Sequence, residues 1–368
     1  MEYKPKKTIK KQNYEEYWRL TVEYSDINGS RFINTLKLIV NFIDKNPSLK
    51  TEYDSNLYKE LQEIINEIYK KRDFGSIRKS INQMVKLGLV YPGLRGYHPK
   101  TKSFIKAGDD AEREFIFSEI FYKNASPQSS VTNDKTHIKS IEFLLKTLMY
   151  KKPQILYEEE IVAIISTDIT NYKRGYMTQE ELNIQVKLNE FNKFRDRKYN
   201  QISYLFKFLQ YLPGIKLSKD KTKLFYEKDA NEYDNVFDST RDPLMFRIMK
   251  EKIYKESEDL YGKRICYFTK KEQKGLVVSH IIPSAESLNK GDVDVAYDPD
   301  NALLLEPNVD AYFDKWDLTF SEEGKPLFGK NISSDFIKDN SGFSIDSIIM
   351  EKRAKYLTDH NKKFNAKN

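Results

Sequence analysis

Cysteine is almost absent from this chain. Cys266 stands alone in 368 residues, which excludes an internal disulfide framework and any cysteine-only zinc site. The expected compartment is therefore the reducing cytoplasm. Long apolar runs are missing as well. None approaches the roughly 18 consecutive apolar residues of a membrane-crossing helix, so no transmembrane segment is expected. The opening run MEYKPKKTIKKQNYEEYW is basic and lacks the apolar core of a secretory leader, so no such leader is expected.

What is present argues for folded domains. Hydrophobic residues make up 39% of the chain and include 25 Tyr and 22 Phe, enough to build real cores and to exclude a wholly disordered polypeptide. The length suits two or three domains at about 150 residues each. Lys and Arg total 62 against 55 Asp and Glu, a net charge of +7. That excess suits a polyanionic partner such as nucleic acid, although charge alone does not single one out.

The first segment has helical periodicity. RFINTLKLIVNFID (31–44) places Ile33, Leu36, Ile39, Val40 and Ile43 at helix-like spacing, and NLYKELQEIINEIYKKR (56–72) repeats the pattern. In GSIRKSINQMVKLGLV (75–90), Ile77, Ile81, Met84, Val85 and Leu87 fall on one side, and Gly88 suits a C-terminal cap. YPGLRGYHPKTKSFI (91–105) follows with turn residues and short β-like pieces. Three helices and then a basic hairpin is the order of a winged helix-turn-helix.

The order returns after the linker-like stretch 124–135. HIKSIEFLLKTLMY (137–150), YEEEIVAIIST (157–167) and DRKYNQISYLFKFLQYL (196–212) read as helices, with a polar insertion over roughly 168–195. SKDKTKLFYE (218–227) is then a second wing. A weak echo links the halves: a Pro-Gly turn precedes KTKSF (100–104) in one and KTKLF (221–225) in the other. Beyond 231–243, MFRIMKEKIYKESEDLYG (245–262) reads as a helix ending at Gly262. KRICYFT (263–269), GLVVSHII (275–282) and DNALLLEPN (300–308) read as strands, VDAYFDK (309–315) as a short helix and 343–364 as a longer one.

The densest chemistry lies in 275–320. His280 closes an apolar strand, Asn301 opens another, and Asp310 begins a helix. This stretch resembles the HNH, or ββα-metal, nucleases. TRDPLMFRIMKEKIYKESEDLYGKRICYFT (240–269) and KYLTDHNKKF (355–364) are similar to the lead-in and closing helix of a large bacterial HNH group, so the likeness spans about the last third of the chain. The resemblance implies phosphodiester hydrolysis with a divalent ion, Mg²⁺ or Mn²⁺. It implies His280 as general base, Asn301 as the residue that pins the loop after His280, and Asp310 as metal ligand. Histidine titrates near neutrality, and hard ions take oxygen ligands, so these residue types suit those tasks. Asp314, one helical turn beyond Asp310, is either a second ligand or a structural cap or ion-pair partner.

There are departures from the family pattern. Ser279 stands where many members carry a metal-binding Asp, and a hydroxyl is a poor Mg²⁺ ligand. Asp310 replaces the family's usual His or Asn. The missing CxxC pairs mean that the zinc knuckle of some members is absent. Cys266 reads as a core residue, and His98, His137 and His360 as structural.

DNA reading is assigned to the third helix of each module. Arg78, Lys79, Asn82, Gln83 and Lys86 form the polar side of the first, and Arg197, Lys198, Asn200, Gln201 and Tyr204 that of the second. Arg pairs bidentately with guanine, and Asn or Gln with adenine. The bland alternative for each set is a solvated helix face. The expected fold is thus a multidomain α+β protein. Two mainly helical winged-helix domains, 1–125 and 126–235, precede a ββα-metal nuclease domain, 236–368. The expected function is site-specific cleavage of double-stranded DNA by a type II restriction enzyme, with a separation of reader and cutter that resembles type IIS. Two copies are expected to pair on DNA, or one to nick each strand in turn. The alternatives are a modification-dependent HNH nuclease and a non-catalytic DNA-binding regulator with a decayed HNH fold.

Overall fold

The computed structural model describes residues 20–23, 25–70, 74–127, 139–192, 194–227 and 241–368, without the side chains of 74 and 191–200. The chain divides into two compact units, Met1–Tyr226 and Glu227–Asn368. Among the described residues, no helix is long and apolar enough to cross a membrane.

The first unit opens with α1 (Ser30–Lys45), α2 (Ser55–Ile68) and α3 (Phe74–Lys86). α1 buries Leu36, Ile39, Val40 and Ile43 of the expected stripe, with Phe32 buried instead of Ile33, which is only partly covered. Asp54 starts α2 by accepting from the amides of Asn56 and Leu57 at 2.7 and 3.2 Å. Gly88 follows α3 with φ of 82°. A Cβ there would stand 2.8 Å from that of Asn124, so the position demands glycine.

The first expected wing is not a hairpin. Val90 and Tyr97 make one isolated bridge, and all of KTKSF but Lys100, which precedes the helix, lies in α4 (Thr101–Lys106). The helix wins because Thr101 and Phe104, three residues apart, share one face. Thr101 Oγ1 donates to the Leu89 carbonyl at 2.7 Å. Phe104 packs between Phe32 and Phe117, with ring centroids 6.2 and 6.3 Å away.

Then come α5 (Asp110–Asn124), α6 (Ser140–Tyr150), β1 (Ile155–Tyr157), α7 (Glu158–Ser166), α8 (Gln179–Asn192), α9 (Phe194–Leu209), β2 (Ile215–Leu217) and β3 (Lys223–Tyr226). The expected polar insertion therefore contains a helix, α8. The strands form an antiparallel sheet in the order β1-β3-β2, with Leu224 opposite both Leu156 and Leu217. The 218–227 segment forms the turn and second strand of the β2–β3 hairpin. Phe117 meets Phe121, Tyr211 and Phe208 at 5.1, 5.5 and 6.0 Å. The two expected N-terminal domains, 1–125 and 126–235, thus share one aromatic core. The expected boundary at 235 lies outside the described residues.

In the second unit, Asp242 caps α10 (Pro243–Tyr261), which ends at left-handed Gly262. KRICYFT is a correction: it forms a turn, not a strand. A strand would send alternate side chains to opposite faces, whereas the turn sends Cys266, Tyr267 and Phe268 into one core. The Lys270 amide bonds back to the Cys266 carbonyl at 2.9 Å, and the Tyr267 amide reaches the Leu304 carbonyl at 2.7 Å. β4 (Val277–His280) is joined to β5 (Ala302–Leu305) through α11 (Ser284–Asn289) and α12 (Val293–Ala296). The two strands pair antiparallel with His280 opposite Ala302. Directly after β5 comes α13 (Pro307–Phe313), completing a ββα unit. A hairpin of β6 (Leu318–Phe320) and β7 (Pro326–Phe328), then α14 (Ser334–Asn340) and α15 (Ser347–Lys367), close the unit.

His360 locks α15 onto this frame. Its Nε2 lies 3.1 Å from the Phe313 carbonyl, its Nδ1 lies 2.9 Å from Thr319 Oγ1, and its ring stacks on Phe313 at 4.0 Å. Burial pushes its pKa from 6.5 to about 4, against the opposing pull of the Phe313 carbonyl. The unfolded chain therefore takes up this proton first as pH falls. The stability that neutral His360 provides is complete above pH 6.5, drains away between 6.5 and about 4, and changes no further below that. About 3 kcal/mol is at stake for a shift of this size. Urea midpoints measured from pH 7.5 down to about pH 4 should fall less steeply for His360→Gln than for the wild type; equal falls would place the acid sensitivity elsewhere.

Candidate active site

The loop between β4 and β5 is shaped by unsatisfied carbonyls. The last carbonyls of a helix have no intrahelical partner, and those of the short α12 are taken by side chains. The Val295 carbonyl accepts from Asn301 Nδ2 at 3.0 Å, and the Ala296 carbonyl lies 3.1 Å from His280 Nε2. Asn301 is wholly buried. Its Nδ2 also donates to the Ile282 carbonyl at 3.0 Å, while its Oδ1 accepts from the Ile282 amide at 2.8 Å. One side chain thereby ties the residues after His280 to the helix that holds the imidazole. Asp298 fixes the preceding turn by accepting from the Asp300 amide at 3.0 Å and from Tyr356 Oη at 2.6 Å.

A carbonyl can only accept, so Nε2 of His280 carries the proton and Nδ1 is left with a lone pair. The ring stacks on Phe246 of α10, with centroids 5.9 Å apart and planes inclined by 22°. Burial, reinforced by the charge of Arg241, lowers the His280 pKa to about 4, so the imidazole is neutral at physiological pH. Arg241 itself lies with its guanidinium 3.5 Å from the centre of the Phe246 ring. The next residue is anchored nearby, since the Asp242 amide donates to Tyr297 Oη at 2.6 Å. Sequence reasoning missed Arg241 and Phe246. Both lie in the stretch that resembles the HNH lead-in, which was the available signal.

Asp310 projects from α13, which packs on β4. Its carboxyl is half-buried, and burial raises its pKa; Ser279 opposes this and the charge of Asp314 adds to it. Ser279 Oγ is buried without a hydrogen bond of good geometry, although it is near enough to the Asp310 carboxyl to act on it. Asp314 is exposed at the C-terminus of α13, where its amide donates to the Asp310 carbonyl at 2.8 Å. No ion pair engages its carboxylate among the described residues.

No group of three or more His, Cys, Asp or Glu side chains among the described residues is arranged to hold a metal ion. The donors present nevertheless suit a hard ion bound through few protein groups. They comprise the half-buried carboxyl of Asp310, whose charged form burial and the charge of Asp314 disfavour, and the exposed carboxylate of Asp314, while the Ser279 hydroxyl beside Asp310 is a poor ligand for such an ion.

Residues 266–321 match the HNH endonuclease family profile. The matched stretch lies within the second unit and encloses His280, Asn301 and Asp310. Comparison with curated proteins returns no match.

The expected DNA-reading residues fare differently. Gln83 is a correction: it is buried, not displayed, because the segment before α1 lies across its face of α3. Its Oε1 accepts from the Glu23 amide at 3.2 Å and its Nε2 donates to the Glu23 carbonyl at 2.9 Å. Lys86 Nζ donates to the Thr21 carbonyl at 3.0 Å, and Lys79 pairs with Glu23 at 3.5 Å. Asn82, partly buried, accepts from Tyr58 Oη at 3.4 Å, while Arg78 is exposed. In α9, Gln201 and Tyr204 are partly buried. The side chains of Arg197, Lys198 and Asn200 lie outside the described residues, as does His137. His98 accepts from the Lys100 amide at 3.1 Å in a turn, and Cys266 is a core residue.

Proposed function

We propose that this protein is a metal-dependent, site-specific DNA endonuclease of the type II restriction class. The observation that carries the reading is the neutral imidazole of His280. Its Nε2–H is committed to the Ala296 carbonyl, and the strand that bears it lies beside the helix that bears Asp310. In this reading Nδ1 takes a proton from water, the water oxygen attacks phosphorus, and the 3′-oxygen leaves with its electron pair. Asn301 holds the ring in register by fixing both ends of its loop. Arg241 places a cation beside the phosphate. Asp310, with Ser279 and Asp314 next to it, would hold a Mg²⁺ or Mn²⁺ ion, which supplies charge neutralisation on the phosphate when bound.

Recognition is assigned to the first unit. The order α6–β1–α7–α8–α9–β2–β3 with sheet order β1-β3-β2 supports a winged-helix reading of its second half, with α8 as an added helix between the second and third. The first half keeps three helices but has no sheet among the described residues. Cutting both strands takes two active-site events, either in paired copies or in succession.

Sequencing the ends of cleaved plasmid DNA, methylated and unmethylated, tests this function. Fixed ends near a fixed sequence on unmethylated DNA are expected. Cleavage confined to methylated DNA would favour the modification-dependent class. The ligand assignment has its own test. Asp310→Ala should lose cleavage at every Mg²⁺ concentration. Asp314→Ala should recover at higher Mg²⁺, with the midpoint raised about tenfold, the equivalent of about 1.4 kcal/mol. The reverse pattern would exchange their roles.

A further inference from the structure

The imidazole of His280 is held at its edge and at its face, and the two holds are joined. At the edge, Nε2 lies 3.1 Å from the Ala296 carbonyl. That carbonyl shares a planar peptide unit with the Tyr297 amide, so whatever places Tyr297 also places the hydrogen-bond partner of the ring. Tyr297 is buried, and its Oη accepts from the Asp242 amide at 2.6 Å. Asp242 caps α10, its carboxylate accepting from the Leu244 and Met245 amides at 3.1 and 3.2 Å. The Asp242 carbonyl accepts from the Phe246 amide at 3.1 Å. At the face, the Phe246 ring lies against the imidazole with planes inclined by 22°. The path therefore closes on itself, from His280 through Ala296, Tyr297, Asp242 and Phe246 back to His280. Phe246 is more than a core residue: Leu244, Ile248 and Met249 around it are buried, whereas Phe246 stays partly exposed.

We propose that Phe246 and Tyr297 are positioning residues, which fix the orientation and tautomer of the His280 imidazole and thereby aim Nδ1 at the attacking water. The inference rests on the reading of His280 as the general base. The second side-chain torsion of histidine is broad and soft. A hydrogen bond at one ring nitrogen leaves the ring plane able to swing about that bond. An aromatic face laid against the ring removes this freedom. Tyr297 sets the spacing between the two holds, because it ties the carbonyl at the edge to the helix that carries the face. Both residues act through His280, so they bear on the rate of the chemical step and not on the capture of DNA. A misplacement of about 1 Å in a catalytic geometry costs about 10²-fold in rate. The Phe246 ring also carries the Arg241 guanidinium at 3.5 Å, so the test must separate an effect on the imidazole from one on the arginine.

The test uses the full chain, supercoiled plasmid and Mg²⁺. Tyr297→Phe removes one hydroxyl, and Phe246→Leu removes the flat face but keeps an apolar side chain. Tyr297→Phe should lower kcat about tenfold and Phe246→Leu about 10²-fold, with KM within about twofold of the wild type in each. Phe246→Tyr keeps the ring and should restore kcat. The same losses should appear in an Arg241→Ala background. Nuclear magnetic resonance of labelled imidazole nitrogens reads the ring without cleavage. The chain has 4 histidines, and the signal missing from His280→Ala is that of His280. At neutral pH the wild type should show the Nε2–H tautomer alone, and both variants a mixture. If Phe246→Leu does not fold, Tyr297→Phe decides. An unchanged kcat, or a loss of kcat with the single tautomer intact, overturns the inference. So does a loss that vanishes in the Arg241→Ala background. A wild type that holds one tautomer, mixed in the variants, but cuts no DNA overturns the nuclease reading and leaves the two residues as the clamp on the ring.

Discussion

His280→Ala should slow DNA cleavage by about 10²–10⁴-fold, the usual worth of a general base, while leaving DNA affinity unchanged. The substitution removes the only imidazole whose free nitrogen lies within the ββα unit. It spares the scaffold, because the four hydrogen bonds that Asn301 and Ile281 make across the loop do not involve the ring. Single-turnover rates at saturating DNA isolate the chemical step from binding. The pH profile adds a second reading. The base must be neutral to act, and burial holds the pKa of His280 at about 4. The acid limb of the wild-type profile should therefore lie below the ordinary histidine value of 6.5. A variant that cuts at the wild-type rate would remove His280 from the mechanism.

The spacing of His280, Asn301 and Asp310 was legible because the ββα unit is local: two strands and a helix within about forty residues of one another, each announced by an apolar run. The helices were legible for the same reason, since α1 carries its apolar stripe, and α10 its Asp242 and Gly262 caps, in their own sequence. What the sequence concealed depends on distant partners. Amphipathic spacing shows that Gln83 lies on the polar side of α3, but not that Glu23, sixty residues earlier, covers it. KTKSF has the composition of an exposed β-like turn. It is helical because Phe104 finds Phe32 and Phe117 to pack against. KRICYFT has strand-like apolar density, yet five consecutive buried residues, 265–269, fit a turn folded into the core. Arg241 reaches the site only because Asp242 and Tyr297, far apart in sequence, meet. Local patterns thus encode the ββα frame, and long-range packing decides which polar groups remain exposed.

The frame itself depends on a buried ion pair, and Arg353→Ala should be the most destabilising single change in the second unit. Arg353 is wholly buried. Its Nε donates to the Ala302 carbonyl at 2.8 Å, and its guanidinium reaches Glu256 of α10 at 2.6 and 3.3 Å. Ala302 is the partner of His280 across the sheet, so α15 grips the strand pair at the level of His280. Burial drives the Glu256 carboxyl up, but Arg353, Lys352 and Tyr267 together draw its pKa below the ordinary value. Removing the arginine leaves the half-buried carboxylate with only the more exposed Lys352 Nζ and Tyr267 Oη, each 2.8 Å away. Breaking a buried pair in this way costs about 3–5 kcal/mol, whereas replacing both partners by apolar residues is often close to neutral. Arg353→Met should therefore unfold at a markedly lower urea concentration than the double variant Glu256→Leu/Arg353→Met. The double variant keeps the fold but lacks the bond to Ala302, so its cleavage rate measures what that bond contributes to holding His280. If the single variant is as stable as the wild type, the pair contributes nothing to the frame, and α15 is held by its apolar face and His360 alone.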